Sequence, residues 1–106
     1  MTPVPNLGEF EQLVLLAVLH CGDESHGMAV RRELQERARR DAAIGAVYAT
    51  LDRMDEKGLV TSAWSEGGAE RGGRARRTYT VTAAGRRALK RATDTLARMT
   101  DGLEFA

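Results

Sequence analysis

Between positions 41 and 60 the apolar residues Ile44, Val47, Leu51 and Met54 recur at spacings of three and four. That rhythm puts them on one side of a helix, and Gly58 stands where a left-handed stop is wanted. The other side carries Gly45, Ala46, Ala49, Thr50, Arg53 and Lys57, small toward the start and cationic toward the end, with Tyr48 on the border. Such a helix docks by one side and presents a slim surface on the other. Leu59 to Trp64, a glycine- and charge-rich loop, and Thr78 to Thr82 then read as strand, loop, strand.

Upstream, Phe10, Leu13, Val14, Leu16, Ala17 and Leu19 make a first helix that is apolar on more than one side. It needs two covers, its own core and a second subunit. Asn6 and Glu9 have capping-box spacing, with Gly8 weakening the first turn. Ser25 is the expected cap of a second helix from about His26 to Arg39, with Ala29, Val30, Leu34 and Ala38 inward and a charged outer face. Arg39 and Arg40 lead into the following turn, within reach of a phosphate. Thr82 caps a last helix on which Gly85, Leu89, Ala92, Leu96, Met99 and Leu103 follow the four–three alternation of a coiled-coil seam. Packing on its own domain is the plain reading of such a stripe. Its length on so small a body favours the same helix of a second copy. The fold class is mainly α (α+β): a winged helix-turn-helix over residues 1–81 and a C-terminal dimerisation helix over 82–106.

Charge sharpens this picture. The formal net charge is only +1, yet residues 1–30 hold four acids and no Lys or Arg. Residues 71–91 hold Arg71, Arg74, Arg76, Arg77, Arg86, Arg87, Lys90 and Arg91 with no acid. A local positive patch on a near-neutral molecule suits a short stretch of polyanion. An isolated run of arginines more often just solvates a hairpin; here the run follows a docked helix, which favours binding.

Catalysis finds no constellation. His20, Cys21 and His26 cluster around a turn but lack the fourth ligand and the spacing of a structural zinc site. Cys21 reads as a small apolar residue at a helix end, His20 as a surface residue and His26 as part of a helix start. Asp52, Asp55 and Glu56 read as surface acids salted by Arg53 or Lys57. Gly67, Gly68, Gly72 and Gly73 flank a hairpin tip and form no phosphate-cradling loop. No cofactor is expected. A single cysteine and the lack of a leader point to a cytoplasmic protein, and the longest apolar run, Leu13 to Leu19, is too short to span a bilayer.

These segments resemble the PadR family of bacterial transcriptional regulators, in its short form with a single C-terminal helix. LGEFEQLVLLAVL resembles the family's opening and ESHGMAV its turn into the second helix. IGAVYATLDRMDEKGLV is similar to its recognition segment at Gly45, Tyr48, Leu51, Met54, Gly58 and Leu59. GRARRTYTVTAAG resembles its wing and the start of its last helix at Arg76, Arg77, Tyr79, Thr82 and Gly85. Two positions depart from the pattern. Ala43 and Ile44 replace a capping serine and a proline, which moves the expected cap back to Asp41, and Thr78 replaces a second tyrosine.

The resemblance implies a homodimer clasped through the first and last helices, with each recognition helix in a major groove of double-stranded DNA and each wing beside the adjacent backbone or minor groove. It implies a repressor of a nearby transporter or detoxification gene; a small-molecule effector is a possible further partner, and no residue identifies one. Within that frame Arg39, Arg40, Arg71, Arg74, Arg76 and Arg77 are expected on phosphates. Gly45, Ala46, Ala49, Thr50 and Arg53 are expected at base edges. Tyr48 is either a phosphate contact or purely structural. Phe10, Leu13, Leu89, Ala92, Leu96, Met99 and Leu103 are expected in the dimer interface. A protein-docking or RNA-binding winged helix is the competing reading, which DNA binding that falls steeply with salt would exclude.

Overall fold

In the computed structural model the described residues are 6–65 and 76–105. They form α1 (Glu9–Cys21), α2 (Gly27–Arg37), α3 (Ile44–Glu56), β1 (Val60–Ser65), β2 (Arg76–Val81) and α4 (Ala83–Thr100), with a 3-10 turn at Gly22–Glu24. The expected Met1–Pro5 lead-in and the loop carrying Arg71 and Arg74 lie outside the described residues. The two strands are antiparallel, and the register pairs Val60 with Val81, Ser62 with Tyr79 and Trp64 with Arg77. Opposed residues share a face, so Val60, Tyr79 and Val81 turn inward together. Helical hairpin, recognition helix, two-stranded wing and closing helix make this a winged helix.

On α3 the core follows the sequence periodicity, but on α1 Leu15 and Val18 turn inward where Leu13, Leu16 and Leu19 were expected, and Ala38 past the end of α2 is exposed. Val14, Leu15 and Val18 of α1 meet Val30 and Leu34 of α2, Val47, Leu51 and Met54 of α3, and Leu59, Val60, Tyr79 and Val81 of the hairpin. Phe10, Leu13, Leu16 and Leu19 lie at its margin, only partly covered. Two grooves flank this margin. One of about 270 Å³ runs between Leu7 and Gln12 on one side and Ala92 and Leu96 of α4 on the other. A second of about 240 Å³ is lined by Leu13, Leu16, Leu34 and Ala38.

Three caps fall elsewhere than expected. α1 starts two residues later than Asn6 implies: Gly8 is its N-cap, and the Gly8 N–H donates to Glu11 at 2.8 Å. α2 is capped by His26, whose Nδ1 accepts from the Ala29 N–H at 3.3 Å. Ser25 serves the sheet instead: its buried hydroxyl donates to the Tyr79 carbonyl and accepts the Tyr79 N–H at 3.1 Å. A serine offers the same local bonding to either partner, and the incoming strand β2 takes it. α3 begins at Ala43 with no side-chain cap. Asp41 turns back toward Arg31 at 3.8 Å, while Arg31 also donates to the Ala42 carbonyl at 2.8 Å and so fastens the α2–α3 turn.

Two glycines fix how the pieces meet. Gly58, at φ 75°, ends α3 with Leu59 N–H donating to Met54 at 2.9 Å and Gly58 N–H to Asp55 at 3.0 Å. That pair of bonds is the Schellman stop, which favours a residue without a side chain. Gly85 lets α4 lie directly on the Leu59 carbonyl, because a Cβ there would collide with that oxygen and with Val81. Thr82 caps α4 as expected: its hydroxyl accepts the Gly85 N–H at 3.0 Å and donates to the Gly58 carbonyl at 2.7 Å.

Candidate nucleic-acid interface

The exposed half of α3 follows from which positions the core consumes. Val47, Thr50, Leu51 and Met54 are buried, so Gly45, Ala49, Asp52 and Glu56, at spacings of four, three and four, form the outer ridge. Ala46 and Arg53 border it on one side and Tyr48 on the other. At Gly45 an added Cβ would meet nothing within 4 Å, so the start of the ridge is open. Thr50 is a correction: only 3 % exposed, it cannot reach a base edge, because the core covers a wider arc of α3 than the Ile44–Val47–Leu51–Met54 stripe alone.

Arg53 is not idle on this surface. Its Nε and the Lys57 ammonium both lie 3.4 Å from one Glu11 carboxylate oxygen, which ties α3 to the first turn of α1. Burial by itself would raise the Glu11 pKa, but the Gly8 N–H, Lys57 and Arg53 outweigh it and hold the carboxyl below its ordinary range. Asp52 and Asp55 do not pair with Arg53 or Lys57, as their sequence neighbourhood suggested. They meet Arg77 of β2, at 3.2 Å each, and Arg77 also donates to Ser62 at 3.0 Å and lies over the Tyr79 ring at 5.2 Å. Arg77 therefore couples the wing to the recognition helix. No helix-wheel argument finds that bond, since its partners lie 22 and 25 residues apart and only the hairpin register brings them together.

Tyr48 is exposed, but its ring rests on Gly27, where any Cβ would land inside it. The missing side chain at the start of α2 is thus a seat for the recognition helix. Arg40 pairs with Glu9 and lies over the Phe10 ring at 5.9 Å. Arg39 is exposed and adopts φ 54°, the left-handed region that favours glycine. Arg76 is exposed at the loop end of β2, its guanidinium 3.1 Å from His26 Nε2. Burial first, then the Arg76 charge, pushes the His26 pKa down. On the same hairpin Trp64 is 69 % exposed, opposite Arg77 in the register.

The residues expected between two copies divide. Leu89 is 5 % exposed and Ala88 buried, because the first turns of α4 close the domain's own core; Leu89 is withdrawn from the seam. Phe10, Leu13 and Ala92 are half-buried at the groove margins. Past them the stripe emerges into solvent: Leu96 is 57 %, Met99 71 % and Leu103 60 % exposed. Gly102, at φ 78°, breaks the helix before Leu103 and Phe105.

Among the described residues no group of His, Cys, Asp and Glu is arranged to hold a metal ion. Burial raises the Cys21 thiol pKa, which makes it a poor nucleophile. No helix among these residues is long and apolar enough to cross a membrane.

The architecture matches known regulators. At TM-score 0.70 and 22 % identity it resembles a PadR-like transcription factor from Bacteroides fragilis, covering 87 % of this chain and 84 % of that one. A PadR family regulator from Eggerthella lenta gives 0.69 and 24 %, with 89 % and 81 % covered. F93 from STIV, described as a winged-helix DNA-binding protein, gives 0.68 at 13 % identity over 93 % of this chain and all of its own. No curated protein sequence matches. The model of the transcriptional regulator PadR-like family, a family of regulators and not of enzymes, matches residues 15–91. The chain spans every element that the winged helix requires and lies under that model for most of its length: it belongs to the PadR-like family of transcriptional regulators.

Proposed function

We propose that the protein is a homodimeric, sequence-specific binder of double-stranded DNA that represses a nearby transporter or detoxification operon, in the cytoplasm. The observation that carries the DNA reading is the N-terminal half of α3. Gly45, Ala46 and Ala49 stand exposed with no bulk between helix and groove, and the helix start carries no side-chain cap. Its amide dipoles favour an approaching phosphate. Ala46 and Ala49 suit thymine methyls, Arg53 borders the ridge for base edges, and Arg39, Arg40, Arg71, Arg74 and Arg76 supply phosphate contacts beside them. Tyr48 is exposed at the same surface while its ring rests on Gly27 of α2.

Arg39 adds an independent argument. A non-glycine residue in the left-handed region costs about 1 kcal/mol, and here that backbone sets an exposed cation on the turn into α3. The dimer reading rests on Leu96 and Met99, exposed apolar residues on a helix that has left its own core, with Leu103 exposed just past its end, next to the open grooves along α1. A second α4, lying along these residues and α1, gives both their missing cover. α4 has no aromatic residue, so an effector at the dimer centre would meet aliphatic walls.

Retention of genomic fragments on the purified protein tests the reading and names the operator. Enrichment of one or a few duplexes by a species sedimenting as a dimer is the expected result. A monomer that retains duplex no better than an inert protein at low salt would overturn it.

A further inference from the structure

Around the second half of α3, cations and carboxylates are matched in a way that DNA binding alone does not ask for. Arg53 and Lys57 face Glu11, and Arg77 faces Asp52 and Asp55. The outer ridge changes from neutral and small at Gly45 and Ala49 to acidic at Asp52 and Glu56. Any duplex that accepts the first half of α3 therefore brings phosphates toward carboxylates at the second half. Arg77 of β2 is held by the Asp52 and Asp55 carboxylates, a serine and a tyrosine ring.

We propose that Asp52 and Asp55 determine specificity by holding down binding to arbitrary duplex, in two ways: they retain Arg77 from phosphates, and they place like charge beside the backbone. Phosphate contacts carry no sequence information, so each cation withheld lowers binding to all sequences alike. What remains depends more on how the bases fit Gly45, Ala46 and Ala49. With a genome of competing sites, the ratio of specific to non-specific affinity matters more than either alone. Discrimination built from repulsion as well as attraction serves that ratio. The inference rests on the DNA-binding reading above.

The test compares a duplex selected from a random pool with a scrambled duplex across a range of salt. The proteins are the unaltered chain, D52N, D52N/D55N, R77A and D52N/D55N/R77A, each shown folded by its melting curve. D52N/D55N is expected to bind the scrambled duplex about three- to tenfold more tightly, with a salt slope steeper by about 0.9 as Arg77 is released. The selected-to-scrambled ratio falls. R77A alone leaves the slope near that of the unaltered chain, and adding it to D52N/D55N removes the extra slope. Should D55N disturb the end of α3, D52N alone, on the more exposed carboxylate, carries the same directions at smaller size. An unaltered chain that prefers its selected duplex, beside acid variants with unchanged affinity and slope, overturns this inference and leaves the DNA reading intact. An unaltered chain that retains no duplex overturns both.

Discussion

Arg39 and His26 each hold a position that their side-chain chemistry makes costly. Replacing Arg39 with glycine relieves the left-handed backbone, so Arg39→Gly is expected to stabilise the fold by about 1 kcal/mol. The same change removes a solvent-exposed cation beside the recognition helix and is expected to weaken duplex binding. A higher melting temperature together with lower affinity is the signature, and affinity unchanged at any salt would take Arg39 out of the interface. His26 caps α2 by accepting a hydrogen bond at Nδ1, which only the neutral ring can do. Its pKa is depressed by burial and then by Arg76, so the unfolded chain binds the proton more readily than the native one. The stability this contributes is full above the ordinary histidine value of about 6.5 and is lost as pH falls below it. In chemical denaturation, His26→Asn, which keeps an acceptor at the cap, is expected to flatten that acid limb. An unchanged limb would assign it to other groups.

At the scale of elements, α4 has two halves with different tasks. Gly85, Ala88 and Leu89 close the domain, whereas Leu96 and Met99 lie beyond it, although one uninterrupted rhythm runs through all of them. A charge introduced beyond the body separates the tasks. Leu96→Glu is expected to leave the winged helix folded, since position 96 touches little of it, and to shift sedimentation to the monomer by placing a charge in an apolar seam. An intact dimer in that variant would mean that the exposed strip is not the interface. The wing and α3 are joined in a residue-specific way, through the ion pairs of Arg77 with Asp52 and Asp55.

For the whole molecule, the proposed pairing of two copies through α4 would hold the two α3 helices at a fixed separation. A dimer of this kind reads half-sites about one helical turn apart, or a multiple of it. Inserting about five base pairs between the half-sites of a selected duplex is expected to reduce affinity to near the non-specific level, and about ten to restore part of it. Equal affinity at every spacing would show that the copies bind independently. The net charge of +1 makes such a molecule depend on where its cations sit, and most cations of α3 and the wing strands that the structure describes are already matched by carboxylates.

Periodicity by itself determined the order of helices and strands, the core stripe of α3, the Gly58 stop and the Thr82 cap, because each depends on residues within one or two turns of one another. The resemblance of the recognition segment and wing to PadR regulators was legible there too, and the family match bears it out. Only the tertiary structure decided which of several adjacent polar residues each backbone group would use. Ser25 went to β2, His26 took the cap, and Asp52 and Asp55 received Arg77 in place of their helical neighbours. It also decided that Thr50 and Leu89 lie inside, since the arc of a helix that becomes buried depends on the bulk and approach of elements far away in the chain. Local spacing fixes which face of a helix is apolar; the closeness of its neighbours fixes how far around that face the burial extends.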